Sequence, residues 1–188
     1  MWTKMYMRIR TRDHGDIEGD CTQEGRQKLI WCLGVNHDVA LPRPRMGVMT
    51  PSDLVPGDAR ASLSSGHPSS GGHAPSHHPL TVTTLLGAHT PRVLEACCSA
   101  EPLDVEIGMY RINRMGEEEA FPTVKLKEAA IVDNRVRFLT TSIEENKAGE
   151  HVQDISFAYK TITWTYEPGK SSGVPTHPLE AELSWHNA

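Results

Sequence analysis

Polar and apolar residues alternate from Lys4 to Arg10, with Met5, Met7 and Ile9 on one side and Tyr6, Arg8 and Arg10 on the other. Side chains of an extended chain point to opposite faces in turn, so this pattern predicts a half-buried strand with its apolar side inward. A polar connection punctuated by Gly15, Gly19 and Gly25 follows. Residues 28–35 are then apolar on both faces, Leu29, Trp31 and Leu33 on one and Ile30 and Cys32 on the other. Such a strand needs cover on both sides, from its own core plus a neighbouring subunit or from a closed barrel; Ile30 and Cys32 are taken as the face toward a neighbour or an enclosed lumen.

Residues 80–86 return to strand propensity and lead into a short amphipathic helix at 90–100, with Thr90 as N-cap, Pro91 where a missing N–H costs nothing, and Val93, Leu94, Cys97 and Cys98 as the packed face. Strands are predicted at 104–112 and 123–132, with a turn at 113–117 between them and a short extension at 136–139. Residues 153–166 form the last strong strand, and it changes phase: Ile155, Phe157 and Tyr159 share one face, whereas Ile162, Trp164 and Tyr166 share the other. Either a bulge intervenes or the second half is buried against something outside the domain. The second alternative makes Ile162, Trp164 and Tyr166 subunit-contact residues.

Composition adds one large exception to this β pattern. About half of residues 42–79 are Pro, Gly or Ser, and so long a segment inside a compact domain is usually functional or unstructured. Its first part, 41–54, carries Leu41, Met46, Met49 and Leu54, enough apolar surface to dock. The chain therefore divides into one β domain over 1–168, interrupted at 41–79, and a polar tail over 169–188 whose Leu183 and Trp185 can dock at an edge. A formal charge of −5 without a Lys/Arg run points away from nucleic acid. The lack of an apolar run near 18 residues argues against a membrane-spanning helix. The basic, alternating N-terminus lacks the apolar stretch of a signal peptide, so the expectation is synthesis in the cytoplasm.

Candidate chemistry changes the picture little. Cys21, Cys32, Cys97 and Cys98 lack zinc-site spacing and are read as small buried hydrophobes. His67, His73, His77, His78 and His89 cluster in or after the low-complexity segment; a metal-binding lid is the functional reading, a solvated loop the plainer one, and no cofactor or metal is assigned. Neither Asp13-His14 nor His37-Asp38 can form half of a triad, because neighbours on a strand face opposite ways. The acidic run Glu117-Glu118-Glu119 is read as a solvated turn. Catalysis has no candidate, so the chain is not read as an enzyme.

The ordered pieces together resemble the hemolysin-coregulated proteins (Hcp), the tube subunits of type VI secretion. Thr90-Pro91-Arg92-Val93-Leu94-Glu95-Ala96-Cys97-Cys98-Ser99 is similar to that family's Ser/Thr-Pro-x-Leu-Leu-Glu-Ala-Cys-Ala-Ser helix. Ile17-Glu18-Gly19-Asp20-Cys21, followed by Ile30-Trp31-Cys32-Leu33-Gly34, resembles its (Val/Ile)-x-Gly-Glu-Ser and Ser-Trp-Gly elements. Val124-Lys125-Leu126-Lys127-Glu128-Ala129 and the run Ile155 to Pro168 resemble its closing strand, Val-x-Leu-x-Phe-Ala-Lys-Ile-x-Trp-x-Tyr-x-Pro. The longer 41–79 segment and the extra residues 11–16 depart from it. The resemblance implies a mainly β fold, a two-sheet β-barrel with one flanking α-helix, assembling into hexameric rings. It further implies rings stacked into a hollow tube, ejected with a contractile sheath, spike protein and baseplate, and small effectors in the lumen. On that reading 41–54 reaches the next ring and the protein works outside the cell. The alternatives are a small-ligand or metal-binding barrel with a His-rich lid, and a phage-like tail-tube protein.

Overall fold

A computed structural model describes residues 3–40, 76–113, 115–140, 142, 151–166 and 178–185. The chain separates into two compact units. The larger contains Met1–Asp38 and His78–Asn187; its elements are β1 (Thr3–Thr11), β2 (Gly15–Ile17), β3 (Ile30–Asn36), β6 (Leu80–Leu85), α1 (Thr90–Ser99), β7 (Leu103–Ile112), β8 (Glu118–Arg137), β9 (Val152–Ala158), β10 (Thr161–Tyr166) and β11 (Leu179–Ser184). The smaller, Val39–His77, is described only at its ends, where β4 (Val39–Ala40) and β5 (Ser76–His77) form a two-residue antiparallel ladder.

Six strands close on themselves in the order β8-β7-β1-β3-β6-β9, with β9 returning to β8, and β10 and β11 continue outward from β8. Closure leaves these six strands with no long unpaired edge. The barrel interior holds Met7, Ile9, Ile30, Cys32, Leu80, Val82, Val105, Ile107, Leu126, Ile131, Ile155 and Phe157, each at 4% exposure or less. Val93 and Ala96 of α1 join the same core. This is the mainly β barrel with one flanking helix that the resemblance implies.

The helix packs through a face rotated from the expected one. Val93 and Ala96 are buried and Cys97 is half-buried, whereas Leu94 and Cys98 are exposed. Its N-cap is His89, and Thr90 is already helical. The Thr90 hydroxyl accepts the Gly87 N–H (3.2 Å) and donates to Gln153 Oε1 (3.0 Å), tying the helix start to β9. Ala100 ends the helix in the left-handed region (φ 49°), its N–H turned back to the last carbonyls.

The Gly19 motif has a local cause. A side chain at Gly19 would meet Ile30 Cα at 2.8 Å, so only glycine lets this loop lie against the start of β3, where its N–H donates to Lys28 O (2.7 Å). The loop that follows covers the outward face of β1. Tyr6 points out of the barrel yet is 3% exposed, because its hydroxyl donates to Gln23 Oε1 (2.6 Å) and the Arg26 guanidinium lies 4.8 Å from its ring and 3.7 Å from that of Tyr110. Arg26 in turn pairs with Glu118 at 2.7 Å, and Glu119 is held by Arg111 at 2.7 Å. The acidic run thus holds two ion pairs, one to the β2–β3 loop and one across β7 and β8, rather than a solvated turn; only Glu117 keeps that role, beside Asn113, whose Oδ1 accepts the Met115 and Glu117 N–H groups.

The strands predicted at 123–132 and 136–139 are one twenty-residue strand, β8, and the single strand predicted at 153–166 is two. Both changes occur at one level of the sheet. In β8, Val124 and Leu126 face inward, then Glu128 takes φ 49° and Ala129 and Ile131 face inward instead. Across from it the chain breaks at Lys160, between inward Phe157 and inward Ile162. Each irregularity shifts the pleat by one residue, so Ile131 opposes Phe157 and Leu126 opposes Ile162 with apolar side chains together on both sides of the break. The Glu128 N–H donates to Asp104 Oδ1 (3.2 Å), and its carboxylate accepts from Lys160 Nζ (3.1 Å). The phase change is therefore a bulge, the first alternative.

Candidate assembly surface

The paired bulges release β10 from the barrel wall. Beyond them β10 pairs β8 on one side and β11 on the other, and among the described residues β11 has no partner on its outer edge. Ile162, Trp164 and Tyr166 oppose Leu183, Ala181 and Leu179. That face begins inside the barrel and ends outside it. Ile162 is fully buried, Trp164 is half-buried against the core, and Tyr166, Leu179 and Leu183 are 39%, 69% and 39% exposed. A flap with an unpaired edge and a greasy face is a template for a further strand from another chain.

Of the expected contact residues, Ile162 is therefore core, because the bulge turns it inward. Trp164 is stacked on His37 (6.0 Å, 25°), and Tyr166 alone of the three lies open, edge-on to Phe121 at 5.5 Å. Ile30 and Cys32, expected to face a neighbour or a lumen, are 1% and 2% exposed inside the barrel; burial pushes the Cys32 thiol up to about 12. The outward face of β3 is the other one, Trp31 and Leu33, 51% and 41% exposed. Leu41, Met46, Met49 and Leu54 lie outside the described residues.

An aromatic cluster anchors the flap to the barrel. His37 Nε2 lies 2.6 Å from the Tyr159 hydroxyl, Trp185 meets the Tyr159 ring edge-on at 5.3 Å, and the Trp185 N–H donates to Lys160 O (2.8 Å). Burial pushes the Tyr159 phenol up to about 12. Sequence pattern pointed to Trp185 as a docking residue but gave no sign of His37.

The opposite side of the same sheet is striped by charge. One row across five strands runs Arg8, Glu106, Lys125, Thr163 and Glu182, with Lys125 and Glu106 at 3.4 Å. Within that row the side chains are charged or hydroxylic, which suits contact with water or with a polar partner.

Among the described residues no three His, Cys, Asp or Glu side chains converge on a metal-sized point; His77, His78 and His89 stand apart, and His67 and His73 lie outside the described residues. His14 pairs with Glu101 at 3.1 Å rather than with its neighbour. Glu101 is buried, and the Asp13 N–H at 2.7 Å, followed by His14, holds its carboxyl below the usual range. This contact ties the β1–β2 turn to the end of α1.

The described residues thus form a closed barrel that carries a two-strand flap, whose outer strand has no partner among them. The family model described as "Type VI secretion system effector, Hcp" matches residues 55–166. The "Major exported protein" of Pseudomonas aeruginosa is 30% identical over 160 residues, covering 84% of this chain and 80% of that one. In architecture the chain is similar to the secreted protein Hcp3 from Pseudomonas aeruginosa (24% identity, TM-score 0.67, 99% and 100% of the two chains). It is also similar to a crystal structure of an Hcp protein (17%, 0.70, all of both chains) and to Hcp1 from Escherichia coli (18%, 0.69, 97% and 99%). The chain belongs to the Hcp family, the tube proteins of type VI secretion. Proteins of this family are exported, form hexameric rings and are structural rather than enzymatic.

Proposed function

We propose that this chain closes into six-membered rings through the β10–β11 flap, and that the rings stack into a tube ejected by a contractile sheath behind a spike protein, carrying small effectors in its lumen. The observation that carries the reading is the flap itself. An unpaired strand bearing Leu179 and Leu183 is exposed in one copy and covered in a head-to-tail ring, where closure removes every edge at once. Tyr166 sits at the flap's open end and joins that contact; Leu41, Met46, Met49 and Leu54 carry the contact between stacked rings. The charge-striped face then borders solvent or cargo, which a greasy lumen would trap. Negative-stain images of the purified protein test this: the expected result is rings that stack, with stacking lost and rings retained on deleting residues 42–79. Rings that stack equally well without that segment remove its role.

A further inference from the structure

A recess of about 160 Å³, several times the roughly 30 Å³ a water occupies in the liquid, lies between the β2–β3 loop, the end of β6 and the start of α1. It is lined by Asp20, Cys21, Trp31, Leu85, Leu86 and His89. Three features mark it as built for a cation. First, Asp20 is exposed and has no cationic partner among the described residues; one carboxylate oxygen accepts the Ala88 N–H (2.9 Å), and the other accepts nothing. Second, the buried wall of the recess is His89, which is 4% exposed and whose pKa burial lowers from the usual imidazole value. Its Nε2 lies 3.2 Å from the Thr84 hydroxyl, and its Nδ1 is buried without a partner among the described residues. Third, Trp31 offers a half-open indole face at the rim. A bare carboxylate, an imidazole nitrogen without a partner and an aromatic face together favour a planar cation. Gly87 keeps the site open, since a side chain there would strike Asp20 and come 3.3 Å from His89 Nδ1.

We propose that this recess receives the arginine guanidinium of the next copy in the ring, and that Arg12 is the arginine supplied. The inference rests on the ring reading above. Arg12 is exposed at the tip of the β1–β2 hairpin, within the extra residues 11–16, and no carboxylate pairs with it among the described residues. Its turn is held rigid: the Arg12 N–H donates to Pro102 O (3.1 Å), and the Asp13 N–H to Glu101. A stiff convex tip and an unneutralised concave recess on one chain are complementary halves of a head-to-tail contact, the type that closes rings.

The test compares the full chain with Asp20→Asn, which keeps an oxygen for the Ala88 N–H, with Trp31→Phe, with Arg12→Glu, and with the swap Asp20→Arg/Arg12→Glu. Ring assembly is followed by light scattering across a dilution series. Each single change is expected to shift the midpoint of ring dissociation to about tenfold higher protein concentration, with unchanged circular dichroism, and the swap is expected to recover most of the loss. Wild-type rings with unaltered midpoints in the single variants overturn this contact alone. Single variants that weaken rings without recovery in the swap overturn Arg12 as the donor. A monomeric wild type overturns the ring reading and this contact together.

Discussion

Ile155, Phe157 and Tyr159 on one side of Lys160, and Ile162, Trp164 and Tyr166 on the other, belong to one run of chain and have nearly the same chemistry, yet they do different work. The first three are sealed in a closed wall, where β9 has β6 on one side and β8 on the other. The second three pass from full burial at Ile162 to an open rim at Tyr166, where β11 beyond them has one neighbour among the described residues. What separates the two is a one-residue offset in each of two facing strands, at Glu128 and Lys160, not a change in hydrophobicity. A wall that closes supplies stability; a wall that stays open leaves an edge, which on the proposed reading another copy covers.

The contrast can be broken first on its closed side. Phe157 is fully buried, so Phe157→Ala is expected to remove about 3–5 kcal/mol of folding free energy, seen as a lowered urea midpoint. On the open side, Ala181→Pro and Glu180→Pro place a residue without an N–H at successive positions of β11. Whichever N–H points outward, one of the two blocks a docking strand and the other weakens the β10 ladder. Both are expected to abolish rings while costing the barrel no more than about 1 kcal/mol, so light scattering changes and the thermal midpoint barely moves. A Phe157 variant that unfolds no sooner than a β11 variant would erase the distinction.

The junction between the two regions gives a smaller effect. Glu128 holds a left-handed backbone that glycine adopts without cost, and the change also removes an exposed ion pair to Lys160. Glu128→Gly is therefore expected to stay within about 1 kcal/mol of wild type, and Glu128→Val to cost about 2 kcal/mol; paired denaturant curves separate them. The smallest effect is at acid pH. Because the folded-state pKa of Glu101 is depressed, its contribution is present above the unfolded value of 4.5 and fades as pH falls through the folded one. Wild type is expected to lose stability more steeply than Glu101→Gln in that window, measured as thermal midpoints from pH 6 downward (about two units).

Much of this was legible in the residue pattern. Strict alternation located β1, strand propensity located β6, and Asn113 with Gly116 located the turn between β7 and β8. The phase change in 153–166 announced a bulge without placing it, since the partner irregularity at Glu128 lies on a strand that reads as broken at Asp133-Asn134-Arg135. Where both faces of a strand are apolar, as in β3, local pattern cannot choose the inward one, so it leaves Ile30 and Cys32 open to a neighbour or a lumen when they belong to the core. The burial of Tyr6 and the pairing of Glu119 come from a loop and a strand distant in the chain. Short β2 and exposed β11 carry too few apolar residues to stand out, so the flap's edge, the part that matters most for assembly, was the least visible.

The central claim is that the flap's exposed strand is covered by another copy of the chain. The mass of the purified full-length protein by light scattering at micromolar concentration tests it most directly: six times 20.8 kDa is expected, and a 20.8 kDa species that persists as concentration rises contradicts it.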